Sequence, residues 1–214
     1  MSRVIFIGNY PPPISGQSIA FKTLVHGYAL KFKDIFVINS IEKSGKRGVI
    51  HRTMDYIGVT LELLYLLLFK KVDTVYHIVS SHKYGFIRDF VIINISYFFK
   101  KRIVLHSHNG NYDEFYDSCS DSFKRTIFKT VNKANKIIIL SIKLRNTFYF
   151  ISDDDKFSYV NNGLPIDGPK VLNKGSNDVF SILYLSNLIE SKGYLDIIKC
   201  AVLMKEMEIL SKFH

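Results

Sequence analysis

Short apolar runs and amphipathic segments alternate along almost the whole chain, and this alternation constrains the fold more than any other feature. Arg3 to Ile7 ("RVIFI", bounded by Gly8), "DIFVINS", "VDTVYHIV", "KRIVLHSH", "KIIILS" and "KFSYVNNG" read as strands. Helices are predicted between them: from about Ser15 to Phe32, over Thr53–Phe69, Tyr84–Phe99 and Ile142–Phe150, and over Ser122–Asn135 with Ser120 or Asp121 as cap. Several strands are apolar on both faces. The expectation is an α/β fold, a doubly wound parallel sheet covered by helices on both sides.

Punctuation sets the domains. "NYPPPISGQS" cannot be regular, because successive prolines fix φ and remove donors. "SGKRG" reads as a basic loop. "GLPIDGPKVLNKGSNDV" has the composition of a linker. The reading is a first domain over residues 1–161, a linker over 162–178, and over 179–214 a strand ("FSILYLS") and a helix that open a second domain. Such a fragment is too small to build its own core.

Composition narrows the class. Of 214 residues, 47% are hydrophobic and 22% charged, which excludes a disordered chain and permits a sizeable core. Lys and Arg exceed Asp and Glu by 29 to 19, a net charge of +10, which suggests an anionic partner. No basic-aromatic array or recognised motif points to nucleic acid. Two cysteines without a CxxC imply no disulfide framework, so the reducing cytoplasm is the expected compartment. The N-terminal apolar run is too short for a secretory signal. "IGVTLELLYLLLF" is too short for a membrane span and is expected to be a buried helix.

Ligands of a doubly wound sheet bind beyond the carboxyl ends of its strands. The loop after the first strand is not a dinucleotide fingerprint, since Gly8 and Gly16 are too far apart. The second strand ends at Asn39, where an acid for a nicotinamide ribose would stand, so that cofactor is rejected. Gly16 at a helix start either offers free amides to a phosphate or only caps a turn. His106 and His108 lie two apart, hence on one face if the strand continues. A metal site with Asp113 or Glu114 lacks further ligands. Each His either bonds within the sheet or donates to a sugar hydroxyl or developing charge. Lys192 and Gly193 stand at a helix N-terminus, either as an anion site or as a solvated lysine beside a capping glycine. Asp153 to Asp155 ("DDD") reads as a solvated turn at the amino end of the sheet.

Taken in order, "FIGNYPPPISGQS", "HSHNGNYDEFY", "ANKIIILS", "YVNNGLPID" and "LYLSNLIESKGYLDIIKCA" resemble the family 4 retaining glycosyltransferases of GT-B fold, in particular those that build bacterial surface polysaccharides. The resemblance implies a Rossmann-like acceptor domain and a nucleotide-diphosphate-sugar donor, with no metal or other cofactor. It implies that Gly16 lies near the donor phosphates, that His108 lies close to the transferred sugar, and that Lys192 with Gly193 binds the diphosphate. Asn187 stands where the family often has Arg and would bind phosphate more weakly. Tyr10 and Asn109 are expected at the acceptor. The acceptor would be a lipid-linked glycan, so peripheral contact with an anionic membrane surface is expected. A cationic stripe of Arg125, Lys129 and Lys133 beside Phe123, Ile127 and Val131, with "FFKKR" (Phe98 to Arg102) adding charge and aromatic edge, is the candidate for it; the alternative is an ordinary amphipathic helix with a solvated face. Family members continue through a whole donor domain, so this chain is expected to be a truncation or a half-enzyme completed by another chain, nearly inactive alone. The alternative is a non-catalytic acceptor-binding or membrane-docking subunit.

Overall fold

A computed structural model of the chain describes residues 3–32, 34–40, 49–163, 183–186, 188 and 190–207. The chain divides into two compact units, Met1–Ile166 and Asp167–His214.

The first unit is an α/β domain around a six-stranded sheet. Its strands are β1 (Val4–Gly8), β2 (Ile35–Asn39), β3 (Thr74–Ile78), β4 (Arg102–Ser107), β5 (Lys136–Ile139) and β6 (Phe157–Tyr159). They lie in the order β2-β1-β3-β4-β5-β6, and every pair is parallel. β1 is buried at all five residues, as a central strand covered on both faces must be. β2, at the edge, buries only Ile38 fully.

The helices are α1 (Gly16–Ala29), α2 (Val49–Phe69), α3 (Lys83–Phe98), α4 (Tyr112–Asp117) and α5 (Asp121–Val131). Right-handed crossovers place α1 on one face and α2, α3 and α5 on the other. The core divides accordingly. Ile5, Ile7, Val75, Ile103, Leu105 and Ile137 point toward α2, α3 and α5. Val4, Phe6, Tyr76 and Ile78 pack under Phe21 and Val25 of α1.

Five expectations are corrected. The predicted helix Ile142–Phe150 is a 3-10 helix over Ile142–Phe148. α4 falls where no helix is predicted, and α5 stops at Val131 rather than Asn135. The greasy helix α2 is only half buried. Val59, Leu63, Leu66 and Leu67 enter the core, while Met54, Ile57, Leu61, Tyr65, Leu68 and Phe69 are exposed. On α5, Ile127 and Val131 are core residues with Phe123 packed against them, and Asn94 accepts a hydrogen bond from Lys133. The apolar half of the expected membrane stripe is therefore committed to the interior. The "SGKRG" loop and most of the linker lie outside the described residues. Among the described residues no helix is long and apolar enough to cross a membrane.

In the second unit, α6 (Tyr194–Glu206) follows a 3-10 turn over Glu190–Lys192. Its N-cap is Gly193, whose φ of 77° favours glycine. The predicted strand lies partly outside the described residues. Leu183 and Leu185, at its described end, are not in a strand and are 83% and 89% exposed.

Candidate functional site

The strand order reverses direction between β1 and β3, which makes the carboxyl ends of these strands the switch point of the sheet. Two features meet the loops at that end of the sheet.

The first is a polar crevice. Ser15 caps α1 and forms a reciprocal box with Ser18: each side chain accepts from the other residue's backbone N–H, at 3.1 and 2.8 Å. His82 caps α3, its Nδ1 accepting from Gly85 N–H at 3.0 Å. Gly85 is required here, because a Cβ would lie 2.4 Å from that of Ser80. One turn into α3, Arg88 and Asp89 are buried at 8% and 1% exposure. Asp89 Oδ1 accepts from Arg88 Nε (3.1 Å), Arg88 Nη2 (2.9 Å) and His77 Nε2 (2.8 Å), and Oδ2 accepts from Ser80 N–H (2.7 Å). Burial by itself would raise the Asp89 carboxyl. The Arg88 guanidinium and then His77, with the bonds from His77 and Ser80, outweigh it and hold its pKa below the usual value. Arg88 also donates from Nη2 to Ser80 Oγ at 2.9 Å. A cavity of about 220 Å³ opens above this network. It adjoins a second of about 170 Å³ that shares Arg88, His82, Ser80, Ser40 and Asn9 as lining.

The second feature is a histidine pocket. The register Ile78↔His106 puts His106 on the α1 face of β4. Tyr76 hydroxyl bonds to His106 Nδ1. With the hydroxyl donating, the ring proton falls on Nε2, which is buried without a partner among the described residues. The His108 ring lies 4.1 Å from it, and its Nδ1 is likewise buried and unpartnered. Burial, and next the neighbouring His108, push the His106 pKa down to about 3. Burial also lowers His108, against a side-chain hydrogen bond with Asn162. Both rings are thus neutral at pH 7. They line a cavity of about 130 Å³ with Phe21, Leu24, Tyr76 and Asn162.

The predicted residues divide between these places. His106 and His108 share one face, as their spacing implies. Asn109 lines the polar crevice, its Nδ2 donating to Ser81 Oγ at 2.9 Å. Gly16 begins α1, and nothing lies within 4 Å of where its Cβ would be. The N–H groups of Gly16 and Gln17 have no partner among the described residues. Tyr10 turns its ring edge to Phe21, 6.3 Å between centroids, and its N–H bonds Asn39 Oδ1. Lys192 is exposed, and its carbonyl accepts from Tyr184 hydroxyl at 2.8 Å. Asn187 lies outside the described residues. Asp153–Asp155 forms the expected exposed turn before β6. Among the described residues no group of three or more His, Cys, Asp or Glu could hold a metal.

Sequence reasoning misses His77, Ser80, His82, Arg88 and Asp89. The available signal is an Arg-Asp pair inside the otherwise apolar run "GFIRDFVIINISYFF".

The fold and site define a doubly wound α/β domain with a polar crevice at its switch point. No known family model matches the chain, and no curated protein is significantly similar to it.

Proposed function

We propose that the chain belongs to a glycosyltransferase that moves a sugar from a nucleotide diphosphate to a glycan acceptor carried on a lipid. The observation that carries this reading is His108: a neutral imidazole just beyond the carboxyl end of β4, with one buried ring nitrogen left for a ligand. A neutral ring in a small, partly apolar pocket suits a hydrogen bond to a sugar hydroxyl or to charge developing on the sugar. Retaining transfer through an ion-pair-like transition state needs the leaving diphosphate stabilised more than it needs a strong base. Lys192 and the start of α6 at Gly193 are the groups suited to that task.

The lipid-borne acceptor calls for a membrane surface, and α2 with α3 suits it better than α5. Both helices carry exposed large apolar side chains, and Lys70, Lys71, Lys100 and Arg102 lie exposed just past their C-terminal ends.

The test is turnover of nucleotide-diphosphate sugars by the chain, alone and with candidate partner chains, in wild-type and His108→Ala forms. The expected result is a fall of about 10²-fold in kcat at an unchanged unfolding midpoint. An unchanged kcat, or a variant that does not fold, assigns His108 to the core. Absence of binding and turnover for every nucleotide sugar in every combination refutes the proposal.

A further inference from the structure

The crevice above Arg88 has properties that a purely structural ion pair would not need. A guanidinium has five N–H donors. In Arg88, Nε and Nη2 are taken by Asp89 and Ser80, while Nη1 makes a single long bond of 3.4 Å to the Ser40 carbonyl. One Nη1 hydrogen is therefore unpartnered among the described residues, on a side chain that is only 8% exposed and lines both cavities. No Asp or Glu appears in the lining of either cavity. Arg88 and Asp89 cancel in charge. What remains is the positive ends of two helices, α1 with 14 residues and α3 with 16, whose caps Ser15 and His82 both line the larger cavity. The hydroxyl-bearing Ser15, Ser18, Ser40, Tyr56 and Ser80 and the amides of Asn9, Gln17 and Asn109 supply the rest of the polar lining.

We propose that this crevice is an oxyanion site that takes a phosphoryl group. Its donors come from several directions: the remaining Nη1 hydrogen of Arg88 from the floor, and the starts of α1 and α3 from the walls. That arrangement suits the three oxygens of a phosphoryl group better than the flat edge of a carboxylate. The larger cavity, about 220 Å³, has room for several waters at about 30 Å³ each, and hence for a phosphate that displaces them. The site does not depend on the sugar-transfer reading. It would serve any ligand with an accessible phosphoryl group, whether free phosphate, a sugar phosphate or a lipid phosphate.

The experiment titrates the full chain at constant ionic strength with inorganic phosphate, glucose 1-phosphate and a short-chain isoprenyl phosphate. It follows the Arg88 Nε–Hε and Gly85 amide resonances. Saturable shifts at these two groups are expected, and the ligand that binds tightest names the source. Arg88→Lys keeps the charge but loses the fork, and is expected to weaken binding about tenfold. Because that variant also disturbs a buried pair, His82→Asp and His82→Asn supply a second comparison. Both residues are strong caps and preserve α3, but only Asp adds a negative charge at the rim. His82→Asp is expected to weaken phosphate binding at least about tenfold, and His82→Asn to leave it within about threefold of wild type. Equal binding by the Asp and Asn variants, or no saturation with any of the three phosphates, overturns the proposal.

Discussion

Replacing Asp89 by Asn removes one charge from the middle of α3 and leaves its shape almost unchanged. The carboxylate accepts four hydrogen bonds, from His77, twice from Arg88, and from Ser80 N–H. An amide offers one oxygen and one NH₂. If its oxygen faces Arg88 and His77, the NH₂ meets Ser80 N–H, donor against donor. If it is flipped, the NH₂ meets the guanidinium. Arg88 is left as a buried charge without a counter-ion in either orientation. Breaking a buried pair in this way costs about 3–5 kcal/mol, against a total stability of about 5–15 kcal/mol for a domain. The measurement is urea unfolding followed by far-UV circular dichroism, since the chain has no tryptophan. The midpoint should fall sharply while the slope stays constant. The pH dependence supplies an independent check. The folded pKa of Asp89 is depressed, so its contribution is fully present above the ordinary carboxylate pKa and is lost as pH falls below it. The gap between wild type and the Asp89→Asn variant should therefore narrow below about pH 4. A loss under about 1 kcal/mol at neutral pH would refute the reasoning, because it would place the change among ordinary surface substitutions.

Two further outcomes follow from the same geometry. The folded chain keeps His106 neutral down to about pH 3, while the unfolded chain protonates it near 6.5, so stability should fall with pH below 6.5 by up to about 1.4 kcal/mol per unit for that proton. His106→Phe should flatten the part of this slope between about pH 6.5 and 5 in urea titrations, and equal slopes in the two proteins would count against a buried neutral ring. The exposed face of α2, with Leu61 and Leu68 at 61% and 62% exposure, should carry any bilayer contact. Leu61→Glu with Leu68→Glu should abolish co-sedimentation with anionic vesicles at low salt, whereas charge removal at Arg125 and Lys129 should leave it nearly intact; the reverse order would return the contact to α5.

The fold is legible because a parallel sheet leaves a redundant trace. β1, β3, β4 and β5 are each apolar runs closed by polar or glycine residues, and each lies between segments of helical period. What fails is short or two-faced. α4 has six residues, fewer than any periodicity can resolve, and it sits in a loop whose Asn and Gly content argues against helix. Ile142–Phe148 presents the right residues for a helical turn, but over seven positions the 3.6 and 3.0 periods do not separate. On α5 the pattern Phe123, Ile127, Val131 does form a face. The sequence has no mark that distinguishes a face turned to a core from one turned to lipid, and the sheet supplies the answer.

The site is legible only where a single strand determines it. His106 and His108 lie two apart on β4 and its continuation, so alternation alone puts them together. Which nitrogen of His106 is free depends on Tyr76, which neighbours it only through the β3–β4 register, and His108 bonds Asn162, far along the chain. The Arg88 crevice depends on more distant parts still. Its lining comes from the ends of four strands, the starts of α1 and α3, and Tyr56 of α2, parts far apart in sequence. That pair reads on helical period as a solvated interruption of an apolar helix. It is instead the counter-charged floor of a cavity, because His77 on β3 and Asp89 on α3 face each other across the sheet–helix interface at 2.8 Å. A mid-helix Arg-Asp pair flanked by Phe and Ile on both sides is thus a signal in its own right. Two charges that cannot reach water must be paired, and Arg88, fixed by Asp89 and Ser80, keeps one Nη1 hydrogen without a partner among the described residues.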